Sequence, residues 1–197
     1  MIKLFNKWET SGISIVDPGL RGHVNLEPQY VPKTGGKNTK VKFWRGKTNI
    51  VERLINKLMA PGHKGKKHKV TSGRCSGKGV KTYNIVLKTF NIIEAKVKKN
   101  PIEVFVKAVE KAAPREEVTT IEYGGARYPQ AVEVAPQRRI DLTLRYMTQG
   151  AYQKCFGNKK KMEEYLADEI IKAYNEDQTS AAIAKKLELE RQADASR

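Results

Sequence analysis

Between Gly65 and Thr82 the chain reads GKKHKVTSGRCSGKGVKT, a stretch in which three kinds of chemistry can be tested against the spacing. A phosphate-cradling loop of the Walker type needs four residues between its first glycine and its Gly-Lys pair, then a hydroxyl residue for magnesium, all between a buried strand and a helix. Here Gly73 is followed only by Arg74, Cys75 and Ser76 before Gly77-Lys78, Gly79 stands where the hydroxyl belongs, and KKHKV precedes it in place of an apolar strand. The spacing argues against a bound ATP or GTP. A metal site is the second possibility, because His63, His68 and Cys75 fall close together. Zinc takes four ligands, usually in paired short spacings, and the next candidates, His23 and Cys155, are distant in sequence. The crowd of lysines around these histidines raises the cost of a divalent cation, so they read as solvated side chains and no metal ligand is assigned. No Gly-x-Ser-x-Gly elbow occurs, and all three histidines lie outside the segments that build a core. The sequence therefore offers no catalytic residue, no cofactor site and no sign of an enzyme.

The third chemistry is contact with a chain of phosphates. From Gly65 to Lys81 cations alternate with Gly and Ser, which lets backbone amides and long side chains approach a sugar-phosphate backbone closely. The net charge is +17, and residues 1–100 hold 22 Lys or Arg against five acids, whereas residues 101–197 hold 16 of each. No Asp or Glu occurs between Glu52 and Glu94. Such a field repels itself unless a polyanion lies opposite, and nucleic acid supplies one. A membrane surface suits it less, since the basic interval lacks the Trp, Phe and Leu face of an interfacial helix. Candidate contacts are Lys42, Arg45 and Lys47, interleaved with Phe43 and Trp44; Lys64, Lys66, Lys67, Lys69, Arg74, Lys78 and Lys81 in the glycine-rich loop; and Arg115, Arg138 and Arg139 near a hairpin. Lys159, Lys160 and Lys161 complete the set just before a helix. Cations at that end of a helix cost ~0.3–1 kcal/mol each against its dipole, a sign that a bound phosphate reverses. No zinc-finger spacing, zipper heptad or aromatic RNA-recognition signature is present, and scattered basic loops on a helical body suit folded RNA better than a DNA groove.

The elements that must position these residues are mainly helical. Residues 1–47 are short apolar pieces broken by Gly and Pro, read as an extended basic arm with one or two short strands that orders on a partner. From residue 48 onward the period is helical: Ile50, Val51, Leu54, Ile55, Leu58 and Met59 share one face, and Pro61-Gly62 stops it at a basic loop, 61–79. A second helix follows with Val80, Tyr83, Val86, Leu87, Phe90 and Ile93 inward. Asn100-Pro101 starts a third, with Asn100 as N-cap and Glu103 placed for a capping box, and Pro114 ends it. The period then changes to two over residues 116–134, where Gly124-Gly125 suits the primed turn of a β-hairpin, and Pro129 restricts its strand to an edge. A fourth helix opens at Ala135-Pro136, with Ile140, Leu144, Met147 and Ala151 inward. A fifth carries Met162, Tyr165, Leu166, Ile170 and Ala173 together with one acid, Glu169, at an inner position. The last, from Ser180, is nearly featureless and reads as a surface or partner helix. The expected architecture is a bundle of about six helices, 48–197, with a two-stranded hairpin protruding between the third and fourth, plus the arm.

A body of this length buries roughly 70% of its unfolded surface, so neither metal nor disulfide is required. Cys75 and Cys155 have no framework spacing and read as reduced thiols. No segment approaches the ~20 apolar residues of a membrane span or the core of a signal peptide. The sequence reads as that of a soluble, intracellular protein.

At NPIEVFVKAVEKAAPREEVTTIEYGGARYPQAVEVAPQRR, Asn100 to Arg139, the chain closely resembles the family of the seventh protein of the small ribosomal subunit. KLFNKW, IVERLINKLM and the C-terminal AIAKKLELERQADASR are similar to its archaeal and eukaryotic branch. The resemblance implies direct binding of small-subunit ribosomal RNA, a part in nucleating assembly of the subunit head, and a place in cytoplasmic ribosomes beside neighbouring small-subunit proteins. It also implies proximity to the messenger RNA exit path and exit-site transfer RNA. By matching position the hairpin tip, Gly124, Gly125, Ala126, Arg127 and Tyr128, lies toward that path. Arg138 and Arg139 match the arginines that follow it, and the basic loop after Met59 meets ribosomal RNA. From His68 to Gly79 that loop is longer than the family pattern.

Overall fold

In α4, Pro101–Ala112, the Asn100 side chain accepts a hydrogen bond from the Ile102 amide at 3.0 Å, and Pro101 occupies the first turn, where no amide is required. The expected inner residues Ile102, Phe105, Ala108, Val109 and Ala112 are buried, and so are Val104 and Val106. α4 is therefore buried nearly all round and forms the axis of the molecule. Glu103 does not reach back to close a capping box; its carboxylate turns one turn forward and pairs with Lys107.

The computed structural model describes residues 2–62 and 77–197. Around α4 the other helices run in the order α1 Pro18–Arg21, α2 Ile50–Leu58, α3 Gly79–Val97, α5 Pro136–Cys155, α6 Met162–Tyr174 and α7 Ala181–Asp194. Between α4 and α5 the strands β1, Glu116–Tyr123, and β2, Ala126–Glu133, form the expected antiparallel hairpin. Its register pairs Glu116 with Glu133 and Tyr123 with Ala126, and both turn glycines have positive φ, 58° and 81°. An L side chain is strained at either place, which is why two glycines close this ribbon. Six helices match the expected ones, and the one-turn α1 is additional.

That addition belongs to a correction. The extended arm expected over residues 1–47 is, in its first half, part of the core: Leu4, Phe5, Trp8, Ile15, Leu20 and Val24 are buried. KLFNKW folds into a tight turn with Phe5 and Asn6 left-handed, and the Leu4 amide donates to the Trp8 carbonyl at 2.8 Å. This sets Phe5 and Trp8 edge-on to Phe90 at 6.1 and 5.8 Å between ring centres. The Trp8 indole N–H donates to Glu94 at 3.0 Å. Burying three or four large side chains outweighs the entropy of an arm left free. Residues 27–47 stay mostly exposed, and two 3-10 turns, Lys37–Thr39 and Trp44–Lys47, replace the expected short strands.

α7 lies against α5 and the foot of the hairpin. The Arg115 amide donates to Glu190 at 3.1 Å, and the Arg197 guanidinium pairs with Glu116. The helix that read as featureless is thus the buttress of the ribbon. Its crossing with α5 is close: a Cβ built on Gly150 would stand 2.4 Å from the Ala181 Cβ. Gly150→Ala is expected to destabilise the fold by about 1–3 kcal/mol through overpacking, although alanine is the better helix former by about 1 kcal/mol. The urea unfolding midpoint reads this directly, and an unchanged or higher midpoint contradicts the close crossing.

Candidate nucleic-acid interface

The structure sorts the sequence-derived candidates into three groups. Lys42, Lys78, Lys81, Arg115, Lys159, Lys160 and Lys161 are exposed and form no ion pair among the described residues. Lys78 and Lys81 bracket the start of α3, and Lys159 to Lys161 lead into α6. Lys161 is the N-cap of α6 and makes no capping hydrogen bond with its side chain, while Glu163 and Glu164 in the first turn offset part of the unfavourable dipole. Glu163 also lies 3.8 Å from Lys88. Lys64, Lys66, Lys67, Lys69 and Arg74 lie outside the described residues.

A second group is exposed but already engaged. Arg45 pairs with Asp141 at 3.3 Å, and the Lys47 ammonium sits 4.3 Å from the centre of the Trp44 ring. Arg138 makes a two-pronged bond to Glu117, at 2.7 and 2.8 Å. Phe43, between Lys42 and Arg45, is 78% exposed and left-handed at φ 67°. A large aromatic held out of the core on a strained backbone is unusual away from a binding surface.

Among the described candidates, Arg139 alone is turned inward. It is buried, donates to the Pro114 carbonyl at 3.1 Å and pairs with Asp17 at 2.7 Å, so it locks the N-terminal segment to the hairpin foot. Burial pushes the Asp17 carboxyl up, but the hydrogen bonds from Arg139 and the Gly19 amide outweigh it and hold the group below the ordinary carboxylate range. Adjacent arginines on a helix point about 100° apart, so Arg138 and Arg139 could not both face a ligand from one helix side.

At the hairpin tip Gly124, Gly125, Ala126, Arg127 and Tyr128 are all exposed. Arg127 leans on Glu122 at 3.4 Å across the ribbon. The register places Tyr128 opposite Ile121 and Ala126 opposite Tyr123, so Ile121, Tyr123 and Tyr128 share one face, and Tyr123 is 81% exposed.

Sequence reasoning missed a further basic cluster. Arg53 and Lys57, one turn apart on α2, stand with Arg45 and Arg145 around a single acid, Asp141. Arg53 is buried and donates to Asp141 at 3.2 Å and to the His23 carbonyl at 3.1 Å. Lys57 is half-buried; burial and then the charges of Arg145, Arg45 and Arg53 pull its ammonium below the usual lysine range against the opposing pull of Asp141. The signal lay in the acid-free interval after Glu52, but α2 was read for its apolar face alone.

Among the described residues no grouping of His, Cys, Asp or Glu could hold a metal ion, and no helix is long and apolar enough to cross a membrane. The first half of the chain is poor in acids, Lys78 and Lys81 are unpaired among the described residues, and a two-stranded ribbon stands out from a helical body. The model of the family described as ribosomal protein S7p/S5e matches residues 20–197. The small ribosomal subunit protein uS7 of Nanoarchaeum equitans is 51% identical over 199 residues, covering 100% of this chain and 99% of that protein. The uS7 of Methanosphaera stadtmanae is 47% identical over 189 residues, covering 96% of this chain and 95% of that one. The chain belongs to the ribosomal protein S7p/S5e family, a family of structural ribosomal proteins and not of enzymes.

Proposed function

We propose that this protein is a structural component of the small ribosomal subunit that binds its ribosomal RNA directly and helps nucleate assembly of the subunit head. The observation that carries this reading is the charge arrangement: Lys78, Lys81 and Lys159 to Lys161 stand exposed and unpaired among the described residues, while the acids of the second half are largely taken up by internal partners such as Arg138, Lys154 and Arg197. Unpaired lysines that neutralise phosphates free the counterions condensed on the RNA, which is a large part of RNA affinity. Lys64, Lys66, Lys67, Lys69 and Arg74, which lie outside the described residues, add to the same positive charge in sequence.

The hairpin tip is the part that lies toward the messenger RNA exit path and exit-site transfer RNA. Its exposed Tyr123 and Tyr128 face offers stacking surface to unpaired bases, and its only arginine is held by Glu122. The neighbours of the protein are ribosomal RNA and other small-subunit proteins, in cytoplasmic ribosomes.

Changing Lys159, Lys160 and Lys161 together to alanine tests the reading. Binding to small-subunit ribosomal RNA, followed from 50 to 300 mM potassium chloride, is expected to lose roughly two units of the log-log salt slope. An unchanged slope removes this cluster from the interface.

A further inference from the structure

A cavity of about 820 Å³ opens between the exposed segment 31–39, the outer side of α2 and the first turn of α3. Its α2 wall presents two neighbouring ridges. Glu52 and Asn56, four residues apart, form one; Arg53 and Lys57, also four apart, form the next. The first ridge is an acceptor and amide edge. Glu52 is 5% exposed, and its Oε1 takes bonds from the Thr34 amide and hydroxyl at 2.9 and 2.8 Å, while its Oε2 has no protein donor. The second ridge is cationic, and with Arg45 at the rim it sets three positive groups against Asp141. Across from both, Asn84, Tyr83 and Val80 of α3 supply another amide and an apolar wall. Lys57, Asn56 and Asn84 make no side-chain hydrogen bond among the described residues, although each could make two or more.

A lone phosphate does not fit this wall, because Glu52 would repel it and the Tyr83 and Val80 side would gain nothing from it. A nucleotide carries both halves side by side: a phosphate for the cations, and a flat base whose polar edge satisfies the two side-chain amides. We propose that this cavity receives one unstacked nucleotide of the bound ribosomal RNA, with its phosphate on Lys57 and Arg45 and its base edge toward Asn56 and Asn84. The inference rests on the proposed binding of ribosomal RNA and adds to it a discrete base-reading site on a surface otherwise suited to phosphate contact. It accounts for a lysine held in a crowd of like charges and for side-chain amides left open beside it.

The test uses the full chain and transcribed small-subunit ribosomal RNA, with two variants: Lys57→Ala, and Asn56→Ala with Asn84→Ala. Both asparagines are exposed and Lys57 is repelled by its neighbours, so both variants are expected to fold, as circular dichroism checks. Lys57→Ala is expected to weaken binding and to reduce the salt slope by somewhat under one unit. The asparagine pair is expected to weaken binding roughly tenfold with the slope unchanged, because it removes base contacts and no charge. Base-modifying probes should find one nucleotide whose pairing edge is protected by the wild-type protein and becomes reactive with the asparagine variant. Tight binding by both variants, with the same slope and the same protected bases, overturns the proposal and leaves ribosomal RNA binding intact. Failure of the wild-type protein to bind the RNA overturns both.

Discussion

Glu169→Ala is expected to lower the unfolding free energy by about 3 kcal/mol, chiefly through the buried donors it leaves without an acceptor. Glu169 is the one acid that the helical period places on the inner face of α6, and the structure gives it 0% exposure. Its Oε1 accepts from the Ser180 hydroxyl at 2.7 Å and the Ala182 amide at 3.2 Å, and its Oε2 pairs with Lys154 at 2.9 Å. It thereby fastens α5 and the first turn of α7 to α6. Lys154 is 40% exposed and can return to water. Ser180 and the Ala182 amide cannot, and each costs roughly 1–3 kcal/mol when left unsatisfied. Glu169→Gln retains an oxygen for both and gives up mainly the partly screened ion pair, so it is expected to lose only about 1 kcal/mol. Equilibrium urea unfolding of the two variants decides the matter: equal losses would mean that the ion pair, and not the capping of α7, supplies the stability.

Arg139→Ala is the second large effect. Removing one partner of a buried pair costs about 3–5 kcal/mol in general, and the partial exposure of Asp17, 23%, places this case at the lower end. The variant also deprives the Pro114 carbonyl of a donor, and the N-terminal segment loses its lock on the hairpin foot. Because Asp17 is held below the ordinary carboxylate range in the folded state, the pair contributes stability that is present above about pH 4 and is lost as pH falls through the folded value. The acid limb of the wild-type stability curve is therefore expected to flatten in Arg139→Ala. The salt slope for ribosomal RNA should stay as it was, since this guanidinium does not face solvent. A fall in the slope without a loss of stability would return Arg139 to the interface.

Arg139 also shows how far the sequence could be read. The pair Arg138-Arg139 stood out because it followed the hairpin at the start of a helix, but a linear pattern does not say which of two adjacent arginines meets an acid far away in the chain. Asp17 is that acid, 122 residues distant. The same blindness hid the clamp of Arg45 and Arg53 on Asp141 and the inward turn of KLFNKW. All three depend on contacts between distant segments, for which no periodicity exists. What a period or a cap can encode was legible: the inner faces of α2 and α4, the Asn100 N-cap, the Gly124-Gly125 turn, the buried side of α5, and the inner face of α3 except Val80, which the period placed inward and which is exposed in the first turn of that helix. α7 was underread because alanines carry its contact with α5, and small residues leave little trace in a hydrophobic pattern even where helices approach most closely.

The glycine-rich stretch lies mostly outside the described residues. It departs from a nucleotide-binding loop by one residue and one hydroxyl, and Lys78 and Lys81, the parts of it within the described residues, stand exposed without an acidic partner there. On the proposed reading their field, together with that of Lys159 to Lys161, faces the phosphates of ribosomal RNA.

The most direct measurement is competition at physiological salt between labelled small-subunit ribosomal RNA and an excess of bulk RNA for the purified full-length protein. The account predicts that the ribosomal RNA is retained against at least a hundredfold mass excess, because specific sites commonly exceed non-specific ones by about a thousandfold or more. Displacement in simple proportion to the amount of competitor would reduce the protein to a general polycation and contradict a fixed place in the small subunit.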